Sequence, residues 1–311
     1  MAAETKQHRN KTPETKNKWT EMDNTGPPTN QSTTPLIPAA STPTPNVMTK
    51  TESKAKAQEQ PQEQDIATTP QLTVYYHNLN FRGHFIFCLL DYVNVPYTVA
   101  TLEEMWALKN QSPSECPAKF MAPPLLHDHE LKFYLSQTPA VVAHLHRKHF
   151  PPITDFQKMA MGDKMMNDCN DVLAGLTRNN GSKMWTLKEW EDFASHRFVK
   201  WLAILEETAK QQGLVEHSGY FLGTSTASFA DTTAVATLYN MEWALGNAMS
   251  IMLRQHAPCV MNLCDRMVAS SDKLQARFPK YDPAIRQVKY CGGQIERSIR
   301  SVLAGGDGSY E

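Results

Sequence analysis

The chain has 311 residues, 31 Lys and Arg against 32 Asp and Glu, and 41% hydrophobic residues. A net charge near zero gives no global field for nucleic acid or an anionic membrane, and no run approaches the roughly 18 consecutive apolar residues of a membrane span. The six cysteines, Cys88, Cys116, Cys169, Cys259, Cys264 and Cys291, show neither CxxC pairing nor zinc spacing. In a chain of this length they read as reduced thiols of an intracellular protein, not as a disulfide framework.

Residues 1–70 are rich in Thr, Pro, Gln and Lys, with low-complexity stretches at 42–45 and 58–64. They carry too few aliphatics to offset the entropy of ordering, so a disordered tail is expected. No apolar segment follows the start as in a secretory signal. Lys6, Arg9, Lys11, Lys16 and Lys18 give a basic bias, but Glu4 and Glu14 interrupt it and no apolar face forms. A cytoplasmic tail is expected over an organelle presequence.

Composition changes at Gln71. Leu72 to Tyr76 is a short β run, and Phe85, Ile86, Leu89, Leu90 and Val93 have helical spacing, ended by Asn94 and Pro96. Tyr97 to Ala100 is a second strand, completing a β-α-β unit that favours parallel strands. After a polar stretch from Lys109 to Lys119, residues 123–126 and 131–135 form two more strands around a turn at Asp128 and His129. A helix opens after Ser136-Gln137, with Pro139 in its first turn, where a missing N–H is harmless. From about Ile153 long helical patterns take over, at 154–177, 186–212, 228–255, 257–276 and 283–303, and no strand is expected after 160. The predicted class is an α/β thioredoxin-like N-terminal domain (71–150) plus an all-α helical C-terminal domain (151–305).

Two local motifs have a structural reading. Ser228-Phe229-Ala230-Asp231 before an apolar helical run is a capping box, with Asp in place of the commoner Glu. His144, His146 and His149 invite a metal, but residues two apart on a helix point about 200° apart. No metal is expected there or at His127 and His129. The methionines of the second half read as helix core, some of them lining an adaptable apolar pocket.

The order of strand with Tyr, Arg82-Gly83, helix, strand, Pro-x-Leu, Ser-Gln-Thr, helices, and Gly223 followed by Ser-x-Ala-Asp resembles the cytosolic glutathione S-transferase superfamily over about 72–280. It is most similar to the tyrosine-type classes (sigma, pi, mu). Residues 120–126 and 136–140 also look like transferase-like sequences of microbes. The resemblance implies a cis Pro124 that turns the backbone of Pro123 toward the cysteinyl unit of glutathione, although Pro123 has no N–H to donate. It implies that Gln137 and Thr138 hold the γ-glutamyl carboxylate at a helix N-terminus, that Trp106 and Lys109 hold the glycyl carboxylate, and that Asp168 reaches the γ-glutamyl ammonium across a two-fold homodimer. It also implies a tyrosine hydroxyl that donates to the glutathione sulfur and favours the thiolate. Tyr76 is the candidate, with Tyr75 and the amides Asn78 and Asn80 as alternatives; Tyr76 stands six residues before Arg82, two more than in the family. Cys88 lies too far into the helix for a cysteine-type enzyme. The implied activity is conjugation of the glutathione thiolate to apolar electrophiles, with glutathione as co-substrate. The alternative is a non-catalytic protein of the same fold that binds glutathione or a hydrophobic ligand.

Overall fold

A computed structural model describes residues 70–279 and 289–308, all within one contact unit. Except for Pro70, the expectation for the tail lies outside these residues, as does the start of the last predicted helix at 283–288.

In chain order the first half contains β1 (Leu72–Tyr75), β2 (Leu79–Asn80), α1 (His84–Tyr92), β3 (Thr98–Val99), α2 (Leu102–Lys109), β4 (Leu125–Asp128), β5 (Phe133–Ser136) and α3 (Thr138–His149). The main sheet has the order β3-β1-β4-β5, with β3 parallel to β1 and the other pairs antiparallel. Alternation sorts the side chains onto two faces. Leu72, Val74, Tyr76 and Leu126 join the large core with α1 and α3, while Tyr75 and Leu125 face a smaller cluster with Cys116, Ala118, Leu108 and Phe120. The mixed sheet with helices on both faces is the thioredoxin-like half expected from the sequence. Between the second predicted strand and the polar stretch, Leu102–Lys109 forms the helix α2, which the sequence reading did not assign. Its cause is a capping box, in which Thr101 accepts from the Glu104 N–H while the Glu104 carboxylate accepts from the Thr101 N–H.

The second half contains α4 (Phe156–Leu176), a single turn α5 (Arg178–Gly181), α6 (Leu187–Asp192), α7 (Val199–Gln211), α8 (Phe229–Ala234), α9 (Asn240–Leu245), α10 (Asn247–His256), α11 (Pro258–Ala269), α12 (Asp272–Arg277), β6 (Lys289–Tyr290) and α13 (Gly293–Leu303). π-Turns at Phe193–Phe198 and Val235–Tyr239 join α6 to α7 and α8 to α9. All six residues of α8 are buried, so the helical half is built around it. The predicted helix 228–255 is broken at Gly246, whose φ of 81° ends α9, and 257–276 is broken at Ser270 and Ser271, the latter capping α12 through its hydroxyl. The expectation of no strand after 160 is corrected by β6. It pairs in parallel with β2, Leu79 opposite Lys289 and Asn80 opposite Tyr290, outside the main sheet.

Candidate functional site

Register brings distant segments to one end of the sheet. Tyr75 stands opposite Leu125 and Leu125 opposite Ser136, so the chain leaves β1, enters β4 and leaves β5 along one row. Because β3 runs parallel to β1, α2 also begins at that end. Tyr76, Pro124 and Gln137 each adjoin this row, so three segments far apart in sequence converge.

The Pro123–Pro124 bond is cis, and Pro124 is buried at the entry to β4. Gln137 occupies the N-cap of α3 with φ 71° and ψ 109°, a sparsely populated backbone for a non-glycine residue, and no side chain caps the helix there. Ser136 therefore does not act as a cap. Thr138 is buried, Gln137 is exposed, and the first N–H groups of a twelve-residue helix point away from the helix body at the row's end. Such an end accepts an anion.

Tyr76 is 5% exposed and belongs to the core. Burial pushes its hydroxyl up to about 12, against the smaller downward pull of the Gly83 backbone and the Arg82 guanidinium. At neutral pH the phenol keeps its proton. Its ring lies against Gly83, where a Cβ would stand 2.3, 2.7 and 2.8 Å from three ring carbons. Gly83 has φ −60°, a backbone alanine also adopts, so the demand for glycine is purely steric. Gly83→Ala is expected to lower stability by about 1–3 kcal/mol through overpacking, measured as a shifted urea midpoint at unchanged slope.

Residues 161–302 match the family described as glutathione S-transferase, C-terminal domain. This match places the helical half, rather than the whole chain, in the glutathione S-transferase family. Solved structures similar to it include the prostaglandin synthase D of Nilaparvata lugens, at 19% identity and TM-score 0.51 over 67% of this chain and 96% of that one. The Pi-class glutathione S-transferase of Onchocerca volvulus aligns at 16% identity and TM-score 0.53, over 68% and 98% of the two chains. Rat hPGDS complexed with a quinoline aligns at 17% identity and TM-score 0.50, over 68% and 99%. At these identities the likeness establishes a shared glutathione transferase fold. Comparison with the sequences of curated proteins gives no match.

The remaining candidates of this transferase fold divide. Trp106 is exposed on α2, its ring 5.8 Å from that of His77, which follows Tyr76. Lys109 donates to the Phe120 carbonyl at 3.3 Å and lies over the Phe120 ring, tying α2 to the chain that leads into Pro123. Tyr75 is half-buried on the opposite face, toward Tyr134 and Glu104. Asn78 is exposed, while Asn80 is buried within β2. Within this loop Leu79 and Asn80 form the strand that receives β6. Asp168 makes its contacts within the helical half, as an ion pair with Lys164 and beside Asp171, Val172, Trp201, Ile204 and Leu205 around a cavity of about 150 Å³. The three helix histidines diverge: His144 bonds Asp128 at 3.0 Å, and His146 is buried against Phe150 and Phe229. Among the described residues no group of three or more His, Cys, Asp or Glu side chains is arranged for a metal. No disulfide joins the six buried cysteines, and burial pushes the Cys88 thiol up to about 12.

Two features escaped the sequence reading. Tyr290 is fully buried, its ring edge-on to Phe81 at 6.4 Å, and Cys291 lies close enough to Tyr76 to raise its pKa. The segment after β6 thereby packs behind the Tyr76 loop. Arg82 is bonded by the carboxamides of Asn170 and Asn180. The run Asn179-Asn180-Gly181 was the available signal, since these residue types favour left-handed turns.

Proposed function

We propose that the protein is a glutathione transferase that conjugates the glutathione thiolate to apolar electrophiles, the chemistry of detoxification. The observation that carries this reading is the open N-terminus of α3 at Gln137, beside the cis Pro124 and level with the end of β1. An uncapped helix end next to a proline-turned strand offers a peptide carboxylate a set of N–H donors. In this reading Gln137 and Thr138 take the γ-glutamyl carboxylate, Trp106 and Lys109 the glycyl carboxylate, and the backbone of Pro123 the cysteinyl unit. The Tyr76 hydroxyl donates to the sulfur. A two-fold homodimer with Asp168 near the partner's ligand and a cytoplasmic location belong to the same proposal.

A second reading, a non-catalytic glutathione binder, is favoured by the burial of Tyr76 and by the missing N–H of Pro123. Retention on immobilised glutathione together with turnover of an aryl halide separates the two. Thr138→Ala tests the carboxylate site under both. Removing a hydroxyl from a charge-assisted bond costs on the order of 1.5–3 kcal/mol, so the glutathione Kd is expected to rise roughly tenfold or more. Unchanged affinity by calorimetry removes this pair from the site.

A further inference from the structure

Between α4 and α6 the backbone is left-handed at four successive residues: Arg178 (φ 47°), Asn179 (φ 55°), Asn180 (φ 60°) and Gly181 (φ 82°). Left-handed backbone is costly for residues with a Cβ and persists only where surrounding contacts dictate it. Here they do. The Arg178 guanidinium forks onto Glu189 at 2.6 and 2.9 Å, donates to the Met184 carbonyl at 2.8 Å, and lies 4.8 Å over the Trp185 ring. The Thr177 hydroxyl accepts from the Asn180 N–H at 3.3 Å. A Cβ on Gly181 would stand 2.9 Å from Ile295 of α13, so the turn is also wedged against the last helix.

What this constrained turn delivers outside itself is one carboxamide. The Asn180 Oδ1 accepts from Arg82 Nη1 at 2.6 Å, and the Asn170 Oδ1, on α4, accepts from Nε at 3.4 Å. Both acceptors are neutral. Arg178, Arg254, Arg277 and Arg300 each pair with an acid, whereas among the described residues no carboxylate pairs with Arg82. Arg82 is a half-buried cation held by two neutral amides and lying 4.7 Å over the Phe81 ring, with no carboxylate against it among the described residues. It directly precedes Gly83, on which the Tyr76 ring rests.

We propose that Asn180 is a positioning residue, and that the left-handed turn, with Asn170, holds the Arg82 guanidinium beside Tyr76 so that it meets the sulfur of bound glutathione as a thiolate. The inference rests on the reading of the site as a glutathione site. A neutral clamp fixes the guanidinium and leaves its whole charge for the sulfur, where a carboxylate partner would cancel it. The S–H proton passes to bulk water, and the anion left behind is favoured by the cation and by the Tyr76 hydroxyl. The other titratable groups around the pair, among the described residues, are Cys291, which approaches Tyr76, His77, whose ring stands edge-on to Tyr76 at 5.8 Å and whose pKa burial lowers, and His84 on α1. His84 packs against Phe87 and Phe278 and, pushed down to about 3 by burial, stays neutral.

The test is the pKa of the glutathione thiol bound to the full-length protein, read from thiolate ultraviolet absorbance. Asn180→Gly suits the left-handed backbone and deletes only the clamp, so relief of backbone strain should offset part of the lost bond and the protein should stay folded with only a small fall in melting temperature. The bound thiol pKa should rise by about one unit, a tenfold smaller thiolate fraction at fixed pH below it. Arg82→Gln should raise it at least as far, and the double variant no further than Arg82→Gln, because both changes remove one interaction. Arg82→Lys should fall between, keeping the charge without the fork. Glutathione bound by Asn180→Gly with its thiol pKa unmoved overturns the inference alone. A wild-type protein that binds no glutathione overturns the reading of the site and this inference together.

Discussion

Asp231→Ala is expected to destabilise the protein by on the order of 4 kcal/mol, near the upper end of what a single side chain contributes. The carboxylate is 0% exposed. Its Oδ2 accepts from the Ser228 N–H at 2.7 Å and the Ser228 hydroxyl at 2.8 Å, and its Oδ1 accepts from the Phe221 N–H at 2.7 Å. The last bond goes beyond a capping box: it ties the chain before the helix, at Phe221, to the first turn of α8. Alanine would leave three buried donors without their acceptor, and hydrogen bonds to charged groups contribute about 1.5–3 kcal/mol each. Non-additivity and local relaxation reduce the sum. Because α8 is buried along its whole length, water cannot easily take the place of the carboxylate. Asp231→Asn keeps the volume but turns one acceptor into a donor facing donors, so most of the loss should remain. Urea unfolding of the full-length protein reads both variants. A loss below about 1 kcal/mol for Asp231→Ala would mean that the loop from Phe221 to Ser228 finds other acceptors.

Where the sequence predicted the fold, it did so through local codes that the tertiary structure leaves intact. The alternation in Leu72 to Tyr75, the spacing from Phe85 to Val93 and the capping box at Ser228 each specify one element by short-range physics. The helix α2 carried the same kind of code in Thr101 and Glu104, which a reading by hydrophobic periodicity passes over because only Met105 of that helix is buried. Gly246 was visible as a glycine within a helical pattern, but whether such a glycine is tolerated or ends the helix depends on the packing of α10, which local sequence does not state. The strand β6 was illegible for a different reason. Two residues pair with a loop about 200 residues earlier, and neither partner is a strand without the other.

The site divides along the same line. Pro124, Gln137 and Thr138 were singled out from the order of motifs, and the register of three strands brings their segments to one end of the sheet. Arg82 was seen only as half of an Arg-Gly pair. Its clamp comes from Asn180, 98 residues away, and depends on a left-handed turn whose strain is resolved by Trp185, Glu189 and Ile295. No local pattern announces such an arrangement. The burial of Tyr76 is equally non-local, since the segment that packs behind its loop arrives from the far end of the chain.

Tyr76→Phe is expected to lower turnover of an aryl halide at neutral pH by roughly 100-fold, the scale of losing one preorganised donor to a developing anion. The ring stays, so its packing on Gly83 and its edge contact with Phe87 at 6.3 Å stay with it. Glutathione should still bind, because the contacts assigned to Gln137, Thr138 and Lys109 do not involve the phenol. Raising the pH should recover part of the rate, since hydroxide then forms the thiolate without the donor. The same variant has a second readout at alkaline pH. The folded-state pKa of Tyr76 is raised from 10.0 to about 12, so its contribution to stability is complete below about pH 10 and is lost as the pH rises through about 12. Tyr76→Phe should flatten that part of the stability profile. Tyr75→Phe is the control: its side chain lies on the other face with Tyr134 and Glu104, and it should change stability more than rate. Loss of turnover in Tyr75→Phe but not in Tyr76→Phe would move the donor to the other face of the sheet. Loss only in Asn78→Ala would replace the phenol with an amide. A wild-type protein that binds glutathione, yet turns over neither an aryl halide nor a peroxide, would establish the non-catalytic binder, with Tyr76 as a core residue whose pKa is held at about 12 chiefly by burial.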